Sequence, residues 1–294
     1  MAMRLSGPGL CVLFAVCAGC GTTFRVPDRV QVSPPQPYAW RVENRAQRAL
    51  ELWTPQGHCV VTAKERDDAQ IDVRVDVVVH AETREQGERW LAGIAQPEPE
   101  LAADAVRLQM HLPLGLPAQD VEMRFSIEVP PATELRLFTK SGEVALRGCR
   151  GNVTVETDSG RISARLAGGR ASLRTQSGPV RLEGEYAQAS VHSRMGRIEV
   201  VLPASVQPVD VDLHTEQNTV QVEVAPTHTL DLEYLCQEGK VISELPIHFQ
   251  SSTTQPGGAG RRYRARVGAE GGAAVAKLLV VNGEGNLELR WLAQ

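Results

Sequence analysis

Aromatic side chains are scarce in this 294-residue sequence: Phe, Trp and Tyr together make up 4% of it. A surface that stacks single-stranded nucleic acid needs rings in number, which argues against that role. Charge of one sign is missing too. The formal net charge is −4, without the basic excess that a phosphate backbone demands. No apolar run after Cys20 is long enough to cross a bilayer as a helix. Catalytic and cofactor signatures are also absent. There is no nucleophile elbow, no His-Glu-x-x-His and no phosphate-cradling Gly loop, and no Cys-x-x-Cys beyond Cys20. "GEGNLE" at Gly283 lacks the third Gly and the following helix of a dinucleotide site. No cofactor and no metal are therefore expected. What is abundant is Gly, at 26 residues, together with Val-x-Val alternation. That combination belongs to an all-β chain with many turns.

The N-terminus reads as a targeting segment. Arg4 precedes the apolar run Leu10 to Ala18 ("LCVLFAVCA"), which ends in Cys17-Ala18-Gly19-Cys20. This resembles a bacterial lipobox, with Cys17 where Leu is usual. The resemblance implies a signal peptide over residues 1–19 and a lipid on Cys20. A lipid supplies membrane affinity without a transmembrane helix. Gly21, a residue other than Asp after the Cys, implies the outer membrane if the cell is diderm. Residues 20–37 then form a Pro-bearing tether ("VPDRVQVSPPQP"), and residues 38–294 a single domain. Cys59, Cys149 and Cys236 read as small buried apolar residues.

An internal repeat dominates the rest. "TKSGEV" at Thr139, "TDSGRI" at Thr157 and "TQSGPV" at Thr175 follow one another at 18-residue steps. The register Leu135-x-Leu137-x-Thr139-x-Ser141-Gly142-x-Val144-x-Leu146 recurs from Val153, Ala171 and Ala189. With longer excursions it recurs from Val211, Leu232 and Leu278, and an upstream copy starts at Leu50. Alternate positions are small or apolar, the period of a half-buried strand. Each copy is a strand–turn–strand rung that cannot bury its apolar edge alone, so the rungs must stack. The expected fold is all-β: a single-stranded β-solenoid or β-helix with short rungs. One short helix, about Thr83 to Ile94, is expected in a strand–helix–strand excursion that caps one end. The first rung should lie beside the rung at Gly142.

Two columns follow from that register. Thr54, Thr139, Thr157, Thr175, Ser193 and Thr215 share the inward parity, so each hydroxyl needs a neighbour or a turn carbonyl. Facing outward, Lys140–Asp158, Glu143–Arg161, Glu156–Arg174, Arg165–Glu183 and Arg181–Glu199 pair opposite charges one rung apart.

The Thr-x-Ser-Gly-x-Val rungs, the rung at Gly57 and the final "NGEGNLELRW" resemble the bacterial putative-adhesin β-solenoid family, a domain of unknown function. The likeness runs over about residues 40–294. It implies a fold and, more weakly, a role at the cell envelope. A non-enzymatic, lipid-anchored structural or binding module is the expected function. Its partners would be the membrane, through the lipid, and an envelope glycan or protein. The alternative is a carbohydrate-active β-helix enzyme, a polysaccharide lyase or hydrolase, which needs two carboxylates across a cleft. Outward acids such as Asp158 and Glu183 fall opposite bases, as in a solvated charge ladder. The sharpest local feature is Arg261, Arg262, Arg264 and Arg266, in a Gly-rich stretch from about residue 250 to 272 that reads as a loop. These four are candidate contacts for an anionic partner.

Overall fold

A computed structural model describes residues 29–44, 49–65, 69–94, 98–204, 209–254, 260–268 and 274–292. The proposed signal peptide and Cys20 lie outside the described residues.

The chain opens with β1 (Val30–Val32), β2 (Tyr38–Glu43), β3 (Ala49–Thr54), β4 (His58–Ala63) and β5 (Gln70–Ala81). Helix α1 (Arg84–Gly93) follows, then β6 (Glu100–Leu101), β7 (Ala105–Gln109) and β8 (Val121–Val129). The repeat supplies the next ten strands. They are β9 (Leu135–Ser141), β10 (Val144–Cys149), β11 (Val153–Ser159), β12 (Ile162–Ala167), β13 (Arg170–Ser177) and β14 (Val180–Glu185), then β15 (Gln188–Ser193), β16 (Ile198–Leu202), β17 (Val209–Gln217) and β18 (Val220–Val224). The chain ends through β19 (Thr229–Glu238), β20 (Val241–Ser243), β21 (Ile247–Thr254), β22 (Arg261–Gly268), β23 (Ala274–Glu284) and β24 (Leu287–Trp291).

These strands form two large mixed sheets. One runs β1-β5-β8-β4-β10-β12-β14-β16-β18-β24-β20, with β2 also on β5. The other runs β21-β22-β19-β23-β17-β15-β13-β11-β9-β3-β7-β6. The chain alternates between them, one strand in each sheet per 18-residue step. Within each sheet the repeat strands are parallel, and Val153 sits opposite both Leu135 and Ala171. The first rung pairs with the rung at Gly142 as expected: Thr54 lies opposite Thr139, and Cys59 opposite Val144.

Parity decides what is buried. In β11 the side chains of Val153, Val155 and Thr157 are buried, while Glu156 and Asp158 are exposed. Across one sheet Leu52, Leu137, Val155, Leu173, Val191, Leu213 and Val280 form a continuous inward column. Each such side chain contributes roughly 1.5–3 kcal/mol by leaving water. Cys59, Cys149 and Cys236 are buried and unbridged. Burial pushes the Cys59 thiol up to about 12.

A glycine column turns the corner of each rung. Gly142, Gly160 and Gly178 have φ of +120°, +142° and +147°. A Cβ on Gly160 would lie 1.9 Å from the carbonyl oxygen of Gly142, so the neighbouring rungs approach too closely for any other residue. In the copy where Asn218 replaces Gly, φ is +146°.

The hydroxyl column behaves as expected in part. Thr54, Thr139 and Thr157 each donate to the carbonyl two residues on, at 2.6, 2.8 and 3.1 Å. Ser193 accepts from the Gly196 N–H at 2.8 Å. Thr175 and Thr215 hydroxyls are buried with no hydrogen-bond partner among the described residues. Of the outward pairs, Arg165–Glu183 and Arg181–Glu199 close at 2.6 and 3.2 Å. Glu143 also lies 3.6 Å from His58, one rung upstream.

Three features go beyond the repeat. First, β7 and β8 add one further strand to each sheet beyond the first rung, parallel to β3 and β4. Antiparallel β5 then covers β8, and β1 and β2 cover β5. Thus Val30–Val32, inside the stretch read as a tether, forms a strand on the domain. Helix α1 carries Thr83 as N-cap, accepting from the Gln86 N–H at 3.2 Å, and Ile94 as C-cap. Second, the last rung in sequence, β23–β24, is not last in space. It lies between β17–β18 and β19–β20. Third, the described residues of the stretch read as an Arg-bearing loop are almost all strand, in β21 and β22. β22 pairs antiparallel with β19 on one side and β21 on the other. Alternation in "RRYRARVG" is the physical reason: Ala265 and Val267 are buried beside Leu232 and Leu230.

Candidate functional site

The four arginines split by parity on β22. Arg262, Arg264 and Arg266 share the outer face, while Arg261 lies on the Tyr263 side. Glu233 on the neighbouring β19 forms ion pairs with both Arg262 and Arg264, the latter at 3.3 Å. Arg261 lies 3.4 Å from the Tyr263 hydroxyl. The strand is thus already partly neutralised by its neighbour.

A larger feature lies farther along the same sheet. On the outer face, successive strands place Gln109, Trp53, Phe138, Glu156, Arg174 and His192 opposite one another in one transverse row. Beside it the rung corners raise a second row: Lys140, Asp158, Gln176, Arg194 and Glu216. Between the rows runs an open groove of about 800 Å³. From β3 to β17 it crosses six strands, or roughly 24 Å at about 4.8 Å per strand.

One end of the groove is apolar. The rings of Trp53 and Phe138 stack with centroids 4.1 Å apart and planes 16° apart. Trp53 remains 47% exposed, so the indole is backed by Phe138 on one face and open to solvent elsewhere. The other end is polar. His192 stacks on His214 at 6.1 Å. Burial lowers its pKa, as do Arg174 and His214, against an opposing pull from Glu216.

Two of the three carboxylates of the groove hold a donor. Asp158 accepts from the Gln176 side-chain amide at 2.9 Å. Glu216 pairs with Arg194 at 3.0 Å, and Glu156 sits between Phe138 and Arg174 in register. Asp158 and Glu183, the acids weighed for an enzyme, belong to different sheets. Glu183 lies on β14 against Arg165. Above the groove, Glu51 bridges Arg136 at 2.7 Å and Arg107 at 2.9 Å. Burial pushes the Glu51 carboxyl up, but hydrogen bonds from both guanidinium groups outweigh it, and its pKa is lowered. Among the described residues, no three His, Cys, Asp or Glu side chains are grouped to hold a metal ion. Also among them, no helix is long and apolar enough to cross a membrane.

Sequence reasoning placed the acids and bases of this face but passed over its aromatic pair. The signal was present: Trp53 and Phe138 each directly precede the Thr of their rungs, so the register already set them side by side.

No protein-family profile matches the sequence, and no curated protein matches it either. Among solved structures, a putative cell adhesion protein from Clostridium sporogenes aligns with 87% of this chain and 100% of its own, at 9% identity and TM-score 0.38. A putative adhesin from Bacteroides fragilis aligns over 87% and 98%, at 11% identity and TM-score 0.39. A putative lipid binding protein from Parabacteroides distasonis aligns over 87% and 98%, at 9% identity and TM-score 0.27.

Proposed function

We propose that this chain is a non-enzymatic, lipid-anchored binding module of the cell envelope, built as a β-solenoid. Parallel pairing of successive rungs at an 18-residue offset in both sheets supports the solenoid reading. The observation that carries the binding reading is the groove across six strands. It combines an exposed ring platform with polar side chains, as recognition sites do. Asp158 and Glu216 are each matched with a donor, which leaves no open pair of acids for acid–base work. Attachment rests on Cys20 after Ala18-Gly19: a lipid on that Cys would hold the domain at a membrane surface, the outer membrane in a diderm cell.

The test uses the full-length chain in a bacterial host. Wild type is expected in the membrane fraction, and Cys20→Ser in the soluble fraction. Detergent-extracted wild type should cosediment with isolated envelope fragments and leave their polysaccharide intact. Polysaccharide turnover that disappears in Asp158→Ala or Glu183→Ala would overturn the non-enzymatic reading.

A further inference from the structure

We infer that the groove on the outer face of the second sheet is a binding site for an uncharged glycan chain, with Trp53 and Phe138 as its stacking platform. This rests on the binding-module reading above and adds the ligand's chemistry. The C–H bonds on one face of a pyranose ring form a flat, apolar, weakly positive surface. That surface complements the negative face of an aromatic ring. Trp53 stacks nearly parallel on Phe138 with centroids 4.1 Å apart, so Phe138 backs the exposed Trp53 and leaves the outer face of the indole to offer such a surface. A flat platform suits a sugar ring better than the knob of a peptide side chain.

The polar part of the groove agrees. Gln109, Glu156, Arg174 and Gln176 carry planar amide, carboxylate and guanidinium groups. Such groups pair with neighbouring ring hydroxyls as donors, acceptors or both. A peptide would be held differently. Strand addition needs unpaired backbone N–H and C=O groups, and β9, β11, β13 and β15 are hydrogen-bonded on both edges. Charge excludes a strongly ionic ligand. Lys140, Arg174 and Arg194 face Glu156, Asp158 and Glu216, three cations against three carboxylates. The groove therefore has no net field to draw a polyuronate or a polycation. Its length of roughly 24 Å suits a run of several sugar rings.

The experiment measures binding of the detergent-solubilised full chain to cellotetraose, chitotetraose and tetragalacturonate, by calorimetry and tryptophan fluorescence. At least one neutral tetrasaccharide should bind and perturb the fluorescence. Trp53→Ala and Phe138→Ala should each weaken it about tenfold or more, as loss of one stacking ring does. Phe249→Ala removes an equally exposed ring outside the groove and should change nothing. Raising salt from about 50 to about 500 mM should leave the affinity unchanged, because no net charge is being screened. Melting curves of the three variants confirm that they fold. Preference for tetragalacturonate, or for peptides released from envelope protein, would overturn the proposal. So would failure of all three sugars while envelope fragments still cosediment, an outcome that leaves the binding module standing. Loss of cosedimentation with every envelope fraction would instead remove the binding reading itself.

Discussion

Replacing Gly160 by Ala tests the feature that sets the distance between neighbouring rungs. The backbone at Gly160 has φ +142°, and a Cβ there would lie 1.9 Å from the Gly142 carbonyl oxygen. An ordinary C···O contact needs about 3.3 Å, so the two corners must separate by about 1.4 Å. The Gly142 N–H donates to the Ser159 carbonyl across that interface at 3.1 Å. Stretching this bond costs about 1 kcal/mol. The left-handed conformation adds about 1–3 kcal/mol for a residue with a Cβ. The expected total is about 2–4 kcal/mol, or a fall in Tm of roughly 4–16 °C for a domain of this size. Gly115 is the control. It has φ +84° but nothing within 4 Å of an added Cβ, so Gly115→Ala meets only the conformational cost. Thermal melting followed by circular dichroism compares the two. Equal losses of Tm would refute the reasoning, because the close approach of successive corners would then carry no energy.

Parity makes a second contrast within one strand. Leu173 is 1% exposed and Arg174 is exposed. Urea titration should show Leu173→Ala losing about 2–5 kcal/mol through its cavity and Arg174→Ala under about 1 kcal/mol; similar midpoints would contradict the layering. Glu51 gives a pH signature. Its pKa is lowered in the folded chain, so its stabilising contribution is complete above the unfolded value of about 4.3 and is lost as pH falls through the folded value. The Tm deficit of Glu51→Gln should therefore be largest at neutral pH and shrink in acid, and a deficit that stays constant would count against the Arg107–Glu51–Arg136 bridge.

Much of the fold was legible because successive rungs repeat one pattern at 18-residue steps. Val153 lies above Leu135 because both occupy the same step of an 18-residue period, and both must point inward. The helix over residues 84–93 was legible for a local reason: Thr83 caps it and the apolar spacing changes. The Arg stretch was misread because Gly and Arg at its ends masked the alternation of Tyr263, Ala265 and Val267. Hydroxyl partners were legible only in part. Thr157 finds a carbonyl within its own turn, whereas Thr175 depends on surroundings that no local pattern specifies.

The sequence alone determined the rung, its inward and outward faces, the glycine at its corner and the pairing of neighbouring rungs at constant spacing. Those are consequences of strand periodicity and of Gly's freedom at positive φ. Only the tertiary structure decided the order of rungs once the spacing was broken. All rungs present similar apolar edges, so β23 could pair with more than one of them. The hairpin β21–β22 occupies one edge of β19 and leaves β23 to enter between β19 and β17. The groove is likewise a tertiary product. Trp53 and Phe138 are separated by a capping excursion, and they form one platform because parallel pairing brings their strands side by side.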